Sequence, residues 1–193
     1  AQSGTCTKGI ADMKRSRLVF SGSGGQGLIT AAIILSEAAV LYEGLNAVQS
    51  QSYGAAARGG VTRSDVIISD SEINFPKVDQ PNILVCLTQE AYDTHSSIIR
   101  PGGLLMTDSH FVIKRRKADA VLRNLPLFKS VQKEISKPIV LNICMLGALQ
   151  GLTNLVSLES LQKVVANRVP TAFVELNNEA LDLGLRLARE NKS

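Results

Sequence analysis

The stretch FSGSGGQGLIT, Phe20 to Thr30, places four glycines in six positions between two apolar segments. The segment before it, RLVFS (Arg17–Ser21), is short and apolar and runs into glycine, as a buried strand does. The segment after it, LITAAIILSEAAVLYEG, is too long for a strand, is rich in Ala and Leu, and ends in Gly44 as a C-terminal stop. Strand, glycine loop, helix is the setting that G-x-G-x-x-G requires, with Gly22, Gly24 and Gly27 in the glycine positions and Ser23, Gly25 and Gln26 between them. In that setting Gly22 permits the tight turn out of the strand, Gly24 lets a ligand or backbone approach, and Gly27 lets the helix pack on the sheet. The free N–H groups of the helix start then form an anion site. The alternative is a turn needed only for packing or for a partner's approach. Gln26 has the same two readings, since its amide either bridges to a ligand or neighbour or caps the helix.

A dinucleotide site makes a second demand. An Asp or Glu should close the second strand, about 20 residues on, to bind the ribose hydroxyls. The second strand, NAVQSQ, runs on into SYG with no acid. Glu43 lies before it, at the end of the helix, and Arg58 lies too far into the next loop to replace it for a 2′-phosphate. A free-standing NAD(P)-binding reductase is therefore kept only as an alternative.

The rest of the chain alternates strands and helices. TRSDVIISD reads as a third strand and NILVCLT as a strand covered on both faces. QEAYDTHSSII reads as helix, PGG as a turn, and LLMTD and LFKSVQ as further strands. IVLNICMLGALQGL is apolar almost all round, as a buried helix is. Ser157 caps LESLQKVVANRV, which stops before Pro170, and Leu176, Ala180, Leu183 and Leu187 share one face of a last helix. The pattern predicts an α/β fold of three α/β/α layers, Rossmann-like, with a mostly parallel sheet. One domain is expected over residues 17–193, behind a flexible tail over residues 1–16 in which Met13 makes a natural start.

Composition narrows the chemistry. At 193 residues and 45% apolar the chain can bury one core. No apolar run approaches the roughly 20 residues of a membrane span. The scattered Cys6, Cys86 and Cys144 fit a reducing cytoplasm, and without a C-x-x-C the chain alone lacks the thiolates of a cluster or zinc site. His95 and His110 are too few for a His-rich metal site, so no metal ligand and no catalytic residue is assigned. The net charge of +4 is mild, KRRK (Lys114–Lys117) reads as a solvated run, and 4% aromatics give no stacking platform for nucleic acid.

The loop is followed by SYGAAARGG, Ser52 to Gly60. GSGGQG and SYGAAARGG together resemble the gamma domain of the 2-oxoacid:ferredoxin oxidoreductases, a likeness that extends through SDVIISD, NILVCLTQEAYD and PGGLLMTD over about residues 17–155. Tyr53, Gly54, Arg58, Gly59 and Gly60 match, whereas Ala55 and Ala56 stand where the family often has Pro-Glu. The resemblance implies a gamma subunit, most nearly of the 2-oxoglutarate type, in a multisubunit enzyme that oxidatively decarboxylates a 2-oxoacid to an acyl-CoA. It implies thiamine diphosphate, Mg and iron–sulfur clusters in partner alpha, beta and ferredoxin-like delta subunits, ferredoxin as electron acceptor, and no catalytic cofactor on this chain. Coenzyme A is the ligand it suggests for Gly22–Gly27. Tyr53, Gly54, Arg58, Gly59 and Gly60 become a contact surface for a partner or ligand, with Arg58 offering a planar fork to a carboxylate or phosphate. A homodimer is expected when the partners are missing. A pure assembly module with an empty loop stays open beside these readings.

Overall fold

The chain is described from a computed structural model over residues 15–53, 60–113 and 118–191. KRRK at 114–117 and most of residues 1–16 lie outside the described residues. The first strand, β1 (Arg15–Ser23), takes in the last two residues of the expected tail. It stands inside a six-stranded sheet of order β2-β3-β1-β4-β5-β6. The remaining strands are β2 (Asn46–Tyr53), β3 (Val61–Ser69), β4 (Ile83–Cys86), β5 (Gly103–Asp108) and β6 (Ala120–Leu125).

Strands β1, β4, β5 and β6 are parallel, as the alternating pattern predicts. β3 is reversed and lies between β1 and β2, antiparallel to both. Its register runs from Arg15↔Ser69 to Ser23↔Val61 along the whole of β1. LFKSVQ is not a strand: it forms the short helix α3 (Leu127–Ser130) and a wide turn over Val131–Ile135. The buried Asp108 at the end of β5 draws this segment into helix by accepting the Phe128 N–H at 2.7 Å. The strand that pairs with β5 is β6, just upstream.

The two faces of the sheet are covered unequally. Leu18, Phe20, Val66, Val85 and Met106 meet α1 (Leu28–Tyr42), α4 (Leu141–Thr153), α5 (Leu158–Arg168) and α6 (Val174–Glu190) on one face. Val19, Ile67, Leu84 and Leu105 meet α2 (Gln89–His95) and the loop residues Val78 and Val112 on the other. Alternation along each strand sends successive side chains to opposite cores. Cys86 and Cys144 are fully buried, as expected of core thiols, and burial pushes both up to about 12.

α4 and α6 pack backbone to backbone. A Cβ on Gly147 would lie 2.0 Å from the Leu181 carbonyl oxygen, and one on Gly184 would lie 1.8 Å from that of Cys144. Neither backbone can yield without parting the helices. Gly184→Ala should therefore cost about 3 kcal/mol, read as a lowered urea midpoint at unchanged slope; stability equal to wild type would contradict this packing.

Glu43 has a structural task. Its Oε1 accepts the Ser157 N–H at 2.7 Å and the Ser160 hydroxyl at 2.6 Å, tying the end of α1 to the start of α5. These bonds, the Ser160 hydroxyl first, hold the carboxyl below its ordinary 4.5. A carboxyl lowered by folding contributes stability above its unfolded pKa and loses it as pH falls through the folded value. Near neutral pH, Glu43→Ala should cost about 1 kcal/mol, and thermal melts across pH should show the gap closing below 4.5. A gap independent of pH would rule out the ionised carboxylate as its source.

Candidate functional site

β1 ends at Ser23 and α1 begins at Leu28, so the glycine loop sits at the carboxyl end of β1. From β1 the chain passes through α1, on one face, toward β2 at one edge; from β4 it passes through α2, on the other face, toward β5. The connections part between β1 and β4. Open α/β sheets bind ligands in the crevice at that point, outside the carboxyl ends of the strands. The crevice is walled by the glycine loop on one side and on the other by Leu87 and Thr88, which follow β4. Leu87 N–H donates to the Ser21 carbonyl at 3.0 Å, and the Thr88 hydroxyl caps α2 by accepting the Ala91 N–H at 3.2 Å.

The four loop glycines divide into two pairs. A Cβ on Gly22 would lie 2.3 Å from Gln26 Oε1, and one on Gly27 would lie 2.6 Å from Asn142 Nδ2. Gly27 also has a φ of 72°, in the left-handed region that favours glycine. Asn142, on α4, donates to the Gly27 carbonyl at 3.2 Å and so ties the helical layer to the loop. Gly22 and Gly27 are glycines of packing. Gly24 and Gly25 are exposed, and a Cβ on either would meet nothing within 4 Å. Among the described residues no atom fills the space that these two leave open.

Gln26 is bound within the loop. Its Oε1 accepts the Ser23 N–H at 2.9 Å, which fixes the amide's orientation because only the oxygen can accept. Gln26 thus staples the turn rather than capping α1. The cap position of α1 is Gly27, which supplies no side-chain acceptor, and the first turn carries no acidic residue. The leading N–H groups of α1 and the positive end of its dipole are complementary to an anion.

The two ends of the second motif arrive at the same place. β2 and β3 pair antiparallel, and their register sets Tyr53 opposite Thr62. Thr62 also pairs with Gly22, and Val61 with Ser23. The Thr62 hydroxyl donates to the Gly22 carbonyl at 3.1 Å, and the Ser21 hydroxyl donates to the Thr62 carbonyl at 3.2 Å. Gly60 therefore leads straight into the strand that flanks the glycine loop. Gly54, Arg58 and Gly59 lie outside the described residues, as does the Tyr53 side chain. Sequence reasoning missed Thr62 and Asn142, whose partners lie far along the chain, and Thr88, a local cap that its place just before QEAYD could have signalled.

The reversed β3 also bears on the dinucleotide alternative. In a dinucleotide-binding sheet the strand after the first helix lies directly beside the first strand and brings its acid to the ribose. Here that position holds β3, running the other way, and β2 is one strand further out. Residues 17–187 match the pyruvate ferredoxin/flavodoxin oxidoreductase family. The chain belongs to this family. Its resemblance to 2-oxoglutarate synthase subunit KorC of Methanocaldococcus jannaschii is 46% identity over 91% of this chain and 95% of the relative. It superimposes on the keto/oxoacid ferredoxin oxidoreductase gamma subunit of Geobacter sulfurreducens with a TM-score of 0.86, at 42% identity over 94% of this chain and all of that one. It also matches part of a longer chain, the Magnetococcus marinus 2-oxoglutarate:ferredoxin oxidoreductase, with a TM-score of 0.82 over 93% of this chain and 32% of that one. At 22% identity this last likeness shows the fold alone.

The division of the glycines is testable on the isolated chain. Gly22→Ala and Gly27→Ala should each lower stability by about 1–3 kcal/mol, while Gly24→Ala should leave the melting temperature within about a degree of wild type. Equal losses at all three would show that the whole loop is there for packing.

Proposed function

We propose that the glycine loop and the SYGAAARGG motif form the working face of a gamma subunit in a 2-oxoglutarate-type 2-oxoacid:ferredoxin oxidoreductase. The similarity to KorC over nearly the whole of both chains supports the 2-oxoglutarate type. Thiamine diphosphate and iron–sulfur clusters, which such complexes use, supply the decarboxylation and one-electron chemistry in partner subunits. This chain contributes geometry and electrostatics at the edge of that chemistry. The observation that carries the reading is the open backbone at Gly24 and Gly25, beside an uncapped helix start at the crevice between β1 and β4.

Backbone N–H groups in such a turn hold an oxyanion by hydrogen bonds that need no side-chain reorganisation. A coenzyme A phosphate fits that role, as does a carboxylate from a partner subunit. Arg58, between Tyr53 and Gly60 in the sequence, adds a planar cation that suits either group. Tyr53, Gly54, Gly59 and Gly60 complete the contact surface: glycines let a partner's backbone come close, and a tyrosine gives interface area with a polar tip. Among the described residues no helix is long and apolar enough to cross a membrane.

Gly24→Val tests the reading in the reconstituted complex. The variant subunit should keep its melting temperature, and ferredoxin-linked oxidation of 2-oxoglutarate should fall at least tenfold, the effect of about 1.4 kcal/mol. A KM raised for coenzyme A alone would assign the loop to the cofactor's phosphate, and failure to co-purify would assign it to a partner. A folded variant with full activity would sink the proposal.

A further inference from the structure

A second cleft opens at the opposite end of the sheet. It has a volume of about 360 Å³ and is lined by Arg17, Phe75, Lys77, Asp79, Gln80 and Arg100. Arg17 lies near the start of β1, whereas the glycine loop leaves the end of the same strand. Asn82 receives the backbone N–H of Arg17 at 3.0 Å and donates its own N–H to the Arg17 carbonyl at 2.8 Å, while the Arg100 N–H donates to the Pro81 carbonyl at 3.0 Å. These bonds hold both arginines against the 79–82 segment and leave the guanidinium groups unengaged by them.

The charge in the cleft is unbalanced. Among the described residues three cations face one carboxylate, and Asp79 is shared with Lys77 at 3.5 Å in a pair that is 70% exposed on each side. Among the described residues, the ion pairs leave Arg17 and Arg100 without a carboxylate. Phe75 is 63% exposed and belongs to neither core. An aromatic ring held in water beside two arginines costs solvation that a folded core does not recover. Arginine forks match phosphate oxygens in pairs, and a phenyl face stacks on a planar ring. The volume falls in the range of roughly 300–1,000 Å³ usual for small-ligand pockets.

We propose that this cleft is a nucleotide site, with the phosphates between Arg17 and Arg100 and the purine ring on Phe75. Lys77 supplies a third cation at the rim, and Gln80 a donor and acceptor for the base or ribose. The site is separate from the glycine loop and takes its ligand independently.

The test uses the full chain, isotopically labelled, titrated with ADP and followed by amide chemical shifts. Saturable shifts are expected in the segment from Phe75 to Gln80 and at Arg100. Arg17→Ala with Arg100→Ala should weaken ADP about tenfold or more, the size of losing charge-assisted bonds. Phe75→Ala should weaken ADP about tenfold while leaving inorganic phosphate unchanged. Amide spectra of each variant report its fold, and the wild-type titration stands whether or not a variant folds. Shifts confined to residues 23–28 would place the nucleotide at the glycine loop and overturn the proposal. Phosphate binding as tightly as ADP, with no shift at Phe75, would reduce the cleft to an adventitious ion site. Tighter binding of polyglutamate at the same residues would reassign it to an acidic protein partner, and no saturable shift at millimolar ADP would end it.

Discussion

The antiparallel ladder between β1 and β3 is the constraint on which the site depends. It pairs all nine residues of β1, from Arg15↔Ser69 to Ser23↔Val61. Because β3 runs against β1, its first residues lie beside the last residues of β1. The start of β3 and the glycine loop are thereby brought to one end of the sheet, where Val61 pairs with Ser23 although the two lie far apart in the chain.

 Two side-chain-to-backbone bonds across the ladder fasten this junction, from the Ser21 hydroxyl to the Thr62 carbonyl and from the Thr62 hydroxyl to the Gly22 carbonyl. The same insertion moves β2 out to the edge, so the strand that would carry a ribose-binding acid is not next to the loop.

Much of this architecture was legible in the residues. The glycine loop, α1 and the buried α4 were readable because each has a strong local signature: glycines at a strand end, a long Ala/Leu run, and an apolar stretch too long for a strand. The Ser157 cap was readable too, and its hydroxyl accepts the Ser160 N–H at 3.1 Å. Strand direction was not legible, because a strand's own pattern is the same whichever way it runs. β6 escaped notice because it is an edge strand, and Arg123 and Asn124 break the apolar run that marks a buried one. LFKSVQ was misread because a short apolar run fits strand and helix alike, and Asp108, far upstream, decides between them.

The candidate site was legible in part. The two motifs could be named from the sequence, and their adjacency comes from the β1–β3 register. The split between packing glycines and open glycines depends on Gln26 and Asn142, which approach Gly22 and Gly27 from outside the spacing pattern. Gln26 could equally have faced a ligand; the Ser23 N–H decides that its oxygen turns inward. What remains open after these bonds are made is the backbone at Gly24 and Gly25. Gly25, at a φ of 87°, is a glycine that the turn itself requires, whereas Gly24 has neither a close neighbour nor a left-handed φ to demand one.

Hydrogen exchange on the whole chain, free and then assembled with its partner subunits, tests the central claim most directly. The account predicts that assembly slows exchange in the glycine loop, over residues 22–28, together with the second motif, over residues 53–62. Protection confined to other surfaces, such as α2 or β6, with both motifs exchanging as in the free chain, would contradict it.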